Sequence, residues 1–311
     1  MDITTCFYFA LNMSISASVI ISLLALIRLF VPKRAAYWLW AAAFFRLLLP
    51  FSVSSRFSLF NFTGGLIKKV IYFAEDSAYT GELSILNSVG AANSLFPVKF
   101  SETPVTTLFE TAGIVWLSGT LAALVFLIML YFLTLRAFGT AVRQPYSGRL
   151  SIYSSEAVIS PVLVGLFRTR LIVPQGLDLD SQTGRLIVVH ELVHLRRKDN
   201  LRKIIALATG CIHWFNPFSW IMIKLFFTDM ELSCDDEVLK SCNTEEQKHY
   251  AEALLFFAEK KRDFPVSAFG RSLVYARIEN SLSYKKLTSL GFAASLVFFA
   301  VVLIIFVTNP A

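Results

Sequence analysis

Long apolar stretches constrain this chain more than any other feature, because a segment of about 20 apolar residues has few places to fold except across a bilayer. Such stretches run from about Phe7 to Val31, Ala36 to Val53, Gly113 to Leu133 and Leu287 to Val307. Basic residues gather at one side of each: Lys33 and Arg34 between the first two, Arg136, Arg143 and Arg149 after the third, Lys285 and Lys286 before the fourth. By the positive-inside rule this gives four membrane helices, both termini outside, and residues 136–286 in the cytosol. Hydrophobic residues make up 55% and charged residues 16%, far from the balance of a soluble domain. The formal charge of +7 then marks membrane flanks rather than a nucleic-acid surface. No helix-turn-helix or zinc-finger pattern points to direct nucleic-acid binding.

The resulting layout has three parts. Residues 1–135 carry three transmembrane helices (7–31, 36–53, 113–133) and an extracellular Ser/Asn/Thr-rich loop, 54–111. Residues 136–286 form a cytosolic domain, and residues 287–311 hold the fourth helix and a short outer tail. The N-terminus lacks a basic region and a small-residue cleavage site, so its first span reads as an uncleaved helix. Arg46, near the far end of the second span, is expected to snorkel to the outer interface. Cys6, Cys211, Cys234 and Cys242 form no CxxC pair and are expected reduced and structural.

The chemistry must lie in the 136–286 block. Its start, RLSIYSSEAVISPVLVGLFRTRLIVP, is β-branched and punctuated by Gly and Pro, which predicts a few short strands with Pro161 at an edge. Asp180 or Ser181 is placed to cap the next helix, which carries His190-Glu191-Leu192-Val193-His194 and continues into RRKDN. On a helix the two histidines stand one turn apart on one face, so both imidazoles can grip one metal ion. Glu191 sits beside them as the general base for the attacking water. Downstream, Asn216-Pro217 pairs a good N-cap with a favoured first helical residue, so one helix ends near Trp214 and another starts at Pro217. Leu201 to Phe227 is apolar enough for a fifth span, which would put Glu231 across the bilayer; a hairpin with equal arms would carry Glu231 back to the histidines, and it is expected if Glu231 is a ligand. Glu231 and Asp235 then stand one turn apart, the first as third ligand, the second as a buttress for a metal-bound histidine. Two His and one Glu with a fourth position open is a catalytic arrangement rather than a closed structural one.

HELVHLRRKD, HWFNPFSW and ELSCDDEVL, with Trp116-Leu-Ser-Gly119 and Arg46-Leu-Leu-Leu-Pro50, together resemble the BlaR/MecR family of membrane-bound zinc metallopeptidases over essentially the whole chain. The resemblance implies a mainly helical gluzincin-like peptidase domain with a few short strands, carried by a polytopic α-helical membrane protein. It implies Zn2+ held by His190, His194 and Glu231, with Glu191 as general base and Asp235 behind the ligands. It also implies a signal transducer that cleaves a cytosolic transcriptional repressor and itself. Antibiotic-sensing members continue past the fourth helix into an extracellular penicillin-binding sensor domain, whereas this sequence stops at Ala311. A signal is therefore expected through loop 54–111, the helices or a separate sensor protein. A CAAX-type or quality-control membrane metallopeptidase shares the HExxH and ExxxD pair, and a non-catalytic membrane signalling scaffold would have no need of Glu191. His213, His249 and Tyr250 are considered for stabilising an oxyanion, and none is assigned.

Overall fold

The structure is a computed structural model that describes residues 3–49, 54–55, 104–146, 150–166, 168–260, 268–284, 289–307 and 309–310. Most of loop 54–111 and the Lys285–Lys286 pair lie outside the described residues. Nine helices are described: α1 (Ile3–Ile27), α2 (Lys33–Leu48), α3 (Pro104–Ala137), α4 (Gln182–Arg197), α5 (Asp199–Ile212), α6 (Pro217–Leu239), α7 (Thr244–Lys260), α8 (Ala268–Leu282) and α9 (Ser289–Val307). The strands are β1 (Ser54–Ser55), β2 (Val142–Arg143), β3 (Ser151–Ser155), β4 (Val162–Val164), β5 (Arg170–Pro174) and β6 (Asn309–Pro310). The fold is thus mainly helical with a small sheet. The chain divides into two compact units. One comprises 1–126, 206–225 and 289–311, the other 127–205 and 226–288. Residues 206–225, the turn of the α5–α6 hairpin, belong to the first, apolar unit.

In the apolar unit, α1 packs on α2 and α2 on α9. Ala17, Ile20, Ile21 and Leu24 of α1 and Ala36, Leu39, Trp40, Ala43 and Leu47 of α2 are buried. Among the described residues, two helical stretches are long and apolar enough to cross a membrane, Ile3–Ile27 and Phe109–Ala137. The second is only 17% buried, its exposed surface formed by side chains such as Val125, Phe126 and Phe132. An apolar exterior of that size suits lipid better than water. Helix α1 ends at Ile27 rather than Val31 because the chain tightens into 3₁₀-type bonds (Leu29 to Leu26, Phe30 to Ile27) ahead of Pro32. Helix α3 begins at Pro104, inside the expected loop, Pro being tolerated in a first turn. Helix α2 stops at Leu48, short of the expected Val53.

Arg46 does not snorkel. It is 3% exposed and donates from Nε to Ser16 Oγ at 3.0 Å. Ser16 of α1 thus supplies the buried guanidinium with an acceptor. The hairpin turn is held the same way. Asn216 Oδ1 caps α6 by accepting from Phe218 N at 3.0 Å, and its Nδ2 donates to the Ser14 carbonyl and Ser18 Oγ. His213 donates from Nε2 to the Leu47 carbonyl at 2.9 Å, so its Nδ1 accepts from Ser14 Oγ at 2.7 Å. Trp116 Nε1 donates to the Ile212 carbonyl. The Trp214 ring lies where a Cβ on Gly119 would be, 2.7 Å away. The WLSG string therefore meets Trp214 of HWFNPFSW beside the turn.

In the other unit the sheet order is β2-β3-β5-β4, with β3 and β5 parallel and β2 and β4 antiparallel at the edges. Pro161 directly precedes edge strand β4, where its missing N–H costs nothing. The sheet buries Leu150, Ile152, Leu171 and Val173 against Val188, Leu192 and Leu195 of α4. Another face of α4 packs Val193 on Cys234, Val238, Leu239, Cys242 and Tyr250 of the α6–α7 region. Helix α4 is thus clamped between two cores. Ser181 caps it, accepting from Gly184 N at 3.0 Å. A Cβ on Gly184 would collide with the Asp178 carbonyl, which fixes a glycine there. Ser181→Ala should lower stability by about 1 kcal/mol, while Ser181→Asp should keep the cap; thermal unfolding in detergent checks both.

Candidate metal centre

The HELVH helix does not continue through RRKDN. It ends at Arg197, and Lys198 adopts the left-handed conformation (φ 55°). A new helix starts at Asp199. A non-glycine residue tolerates that conformation only at some cost, and here it turns Asp199 back towards the helix it has just left. Asp199 is fully buried, and its Oδ2 accepts from His194 Nδ1 at 2.7 Å. Arg197 and Arg202 flank the same carboxylate at 3.3 and 3.4 Å.

His190 is held by a longer chain. Its Nδ1 lies 2.7 Å from Tyr250 Oη. Tyr250 in turn donates to Asp235 Oδ1 at 2.6 Å, so its oxygen is left to accept from the imidazole. Asp235 is fully buried and receives two bonds of 2.8 Å from Arg277 Nε and Nη2. Each histidine thus presents an N–H to its support, which leaves the Nε2 lone pairs facing inward. These two nitrogens are 3.1 Å apart. Glu231 arrives on α6 with Oε2 3.6 Å from His190 Nε2 and 3.5 Å from His194 Nε2. Its other oxygen, Oε1, pairs with Lys203 Nζ at 3.3 Å.

Those three separations can be tested against a metal ion. Ligands bonded to Zn2+ at about 2.0–2.1 Å in a tetrahedron lie about 3.3–3.4 Å from one another. Two inward lone pairs and a carboxylate oxygen at such spacing repel each other unless a cation or proton sits among them. The donor set therefore fits zinc. Cys234, one turn beyond Glu231 on α6, also brings its Sγ near: it, His190 and His194 form a group whose ligand atoms lie within 4.8 Å of one another. The thiol is buried and donates to the His190 carbonyl at 3.4 Å. All four cysteines are free.

Electrostatics follow from this crowding. Burial pushes the Glu231 carboxyl up, but the charges of Lys203 and His194 hold it well below the usual range. Burial lowers His194, yet Glu231 and the Asp199 hydrogen bond lift it to about 11. His190 is likewise pushed down by burial and carried well above its ordinary value by Cys234 and Asp235. Burial works against the Lys203 ammonium too, and the charges of Glu231 and then Glu191 and Asp199 raise it. Glu191 itself is half-buried.

A family described as BlaR1 peptidase M56 matches residues 8–280. The chain belongs to that family. It is similar to the regulatory protein BlaR1 of Bacillus licheniformis, 33% identical over 132 residues, 42% of this chain and 21% of that protein. It is also similar to the methicillin resistance mecR1 protein of Staphylococcus aureus, 28% identical over 114 residues, 36% of this chain and 20% of that protein. The matches span about a fifth of the length of these relatives. M56 peptidases are metallopeptidases, and the His190–His194–Cys234 group is able to hold a metal ion.

Of the residues singled out in the sequence, the structure brings His190, His194, Glu231 and Asp235 together. It leaves His213 in the other unit and puts His249 on an exposed surface beside Glu252. Sequence reasoning missed Asp199, Lys203 and Arg277. Asp199 was visible in HELVHLRRKD as the first acid after the second histidine; Arg277 carries no local signal. Asp199→Asn and Tyr250→Phe should each weaken metal binding about 10–100-fold. Because both histidines hold protons when no ion is bound, loading releases protons and should weaken as pH falls. Competition with a chelator at pH 8 and pH 6 reads both effects, with the tighter binding expected at pH 8.

Proposed function

We propose that this chain is a membrane-embedded zinc endopeptidase of the signal-transducing BlaR/MecR type. The observation that supports the reading best is the convergence of His190 Nε2, His194 Nε2 and Glu231 Oε2 at 3.1 to 3.6 Å from one another, each held from behind. In this reading those three residues hold Zn2+, Asp235 and Asp199 orient the histidines, and Lys203 keeps Glu231 turned so that one oxygen faces the ion. Zinc supplies Lewis acidity, polarising the scissile carbonyl and bringing the pKa of water towards about 7. Glu191, next in sequence to a ligand and within the field of Lys203, takes the proton of the attacking water and passes it to the leaving amine.

Substrate and topology are part of the same proposal. The substrate is a cytosolic transcriptional repressor, with the chain itself as a second target, and a separate sensor protein is a candidate partner. Three helices from 1–135 and a fourth from 287–311 cross the bilayer, with both termini outside and the metal centre on the cytosolic side. The positions of α1, α2, α3 and α9 and the basic residues beside them support that placement. A CAAX-type or quality-control peptidase would share the centre. The meeting of WLSG and HWFNPFSW beside the turn favours the BlaR/MecR type, since those strings belong to that resemblance.

Glu191→Gln should leave metal content unchanged and reduce cleavage about 100-fold or more. The measurement is an immunoblot of the tagged full chain, and of a co-expressed repressor encoded beside it. Undiminished cleavage in that variant would contradict the mechanism.

A further inference from the structure

The centre holds one cationic donor that the ligand set does not require. Arg277, on α8, has a side chain 16% exposed. Its Nε and Nη2 are spent on Asp235, both at 2.8 Å, which pins the plane of the guanidinium. Nη2 also lies 3.3 Å from His190 Nε2. The remaining nitrogen, Nη1, has an ion pair with Glu231 Oε2 at 3.6 Å, beyond hydrogen-bond reach, and no hydrogen bond among the described residues. The unspent corner of the fork therefore lies beside Glu231 Oε2, the oxygen that faces the two histidines.

We infer that Arg277 is a catalytic residue, the donor that receives the peptide carbonyl oxygen as it becomes an oxyanion, an inference that rests on the peptidase reading above. The other polar groups near the site are engaged. The Tyr250 hydroxyl is shared among His190, Asp235 and Arg277 Nη2, Lys203 holds Glu231 Oε1, and His249 pairs with Glu252 away from the centre. A fixed positive charge beside a divalent cation is unfavourable by itself. Asp235 and Glu231 offset it in the resting state, and it turns favourable as negative charge grows on the substrate oxygen. The fork is pre-oriented by Asp235, so little reorganisation is needed when that charge appears. Arg277 makes and breaks no covalent bond in this role; it donates one N–H to the oxygen while Glu191 moves the protons.

Inorganic phosphate is a tetrahedral oxyanion with no side-chain subsites to satisfy, so it isolates the donor. The full chain in detergent is loaded with Co2+, and phosphate is titrated while the visible absorption of the metal is followed. Wild type, Arg277→Lys and Arg277→Met are compared, with metal per chain measured in each. The expected result is metal retained in Arg277→Lys, whose ammonium can still pair with Asp235, and phosphate affinity of the metal-loaded protein lowered in both variants, about tenfold or more in Arg277→Met. Arg277→Lys carries the comparison if the methionine variant does not fold. A metal-loaded variant that binds phosphate as tightly as wild type would overturn the inference. So would metal loss in both variants, which would make Arg277 a support for Asp235 and Glu231, or a cobalt-loaded wild type with no response to phosphate. Wild type that takes up no metal is a different failure and removes the peptidase reading itself.

Discussion

The centre depends on two hydrogen bonds to the outer nitrogens of its histidines. His194 Nδ1 meets Asp199 at 2.7 Å, and His190 Nδ1 meets Tyr250 at 2.7 Å with Asp235 behind it. Without these, nothing would select the tautomer or rotation that turns both Nε2 atoms inward. Each support is itself buried and paired: Asp199 beside Arg197 and Arg202, Asp235 beside Arg277. Buried carboxylates stay ionised only in such company. The demand for companions spreads outward and accounts for much of the polar composition of this unit's interior.

The backbone serves the same end. The left-handed residue Lys198 breaks what would be one long helix, so that the first residue of α5 can reach the histidine four residues before the break. The hairpin of α5 and α6 then returns the chain to the same place, where Lys203 on one arm meets Glu231 on the other at 3.3 Å. The turn of that hairpin is secured in the apolar unit by Asn216, His213 and the tryptophans. The forced helix break thus sets where Asp199 stands.

Much of this was legible in the sequence wherever the signal was local. The HELVH periodicity, the spacing of Glu231 and Asp235, the Ser181 cap, the Asn216-Pro217 turn and the short strands around Pro161 are all written within a few residues of one another. What escaped depends on distance along the chain. Tyr250 is 60 residues from His190, and Arg277 is 42 from Asp235. No period or motif links them, so Tyr250 was weighed as a donor to substrate when its hydroxyl is occupied behind a histidine. Arg46 was misjudged for a similar reason: its buried position depends on Ser16, 30 residues away, whereas snorkelling is a default for an arginine with no known partner. The break at Lys198 was hidden because lysine is a good helix former, and only the pull of Asp199 towards His194 explains its backbone.

Glu231 and Cys234, neighbours on one face of α6, both stand beside the two histidines. X-ray absorption at the zinc edge of the metal-loaded chain separates them directly. The account predicts nitrogen and oxygen scatterers only, at about 2.0–2.1 Å, with imidazole signatures for two ligands. A sulfur shell at about 2.3 Å would assign the third position to Cys234 and contradict the proposed His–His–Glu centre.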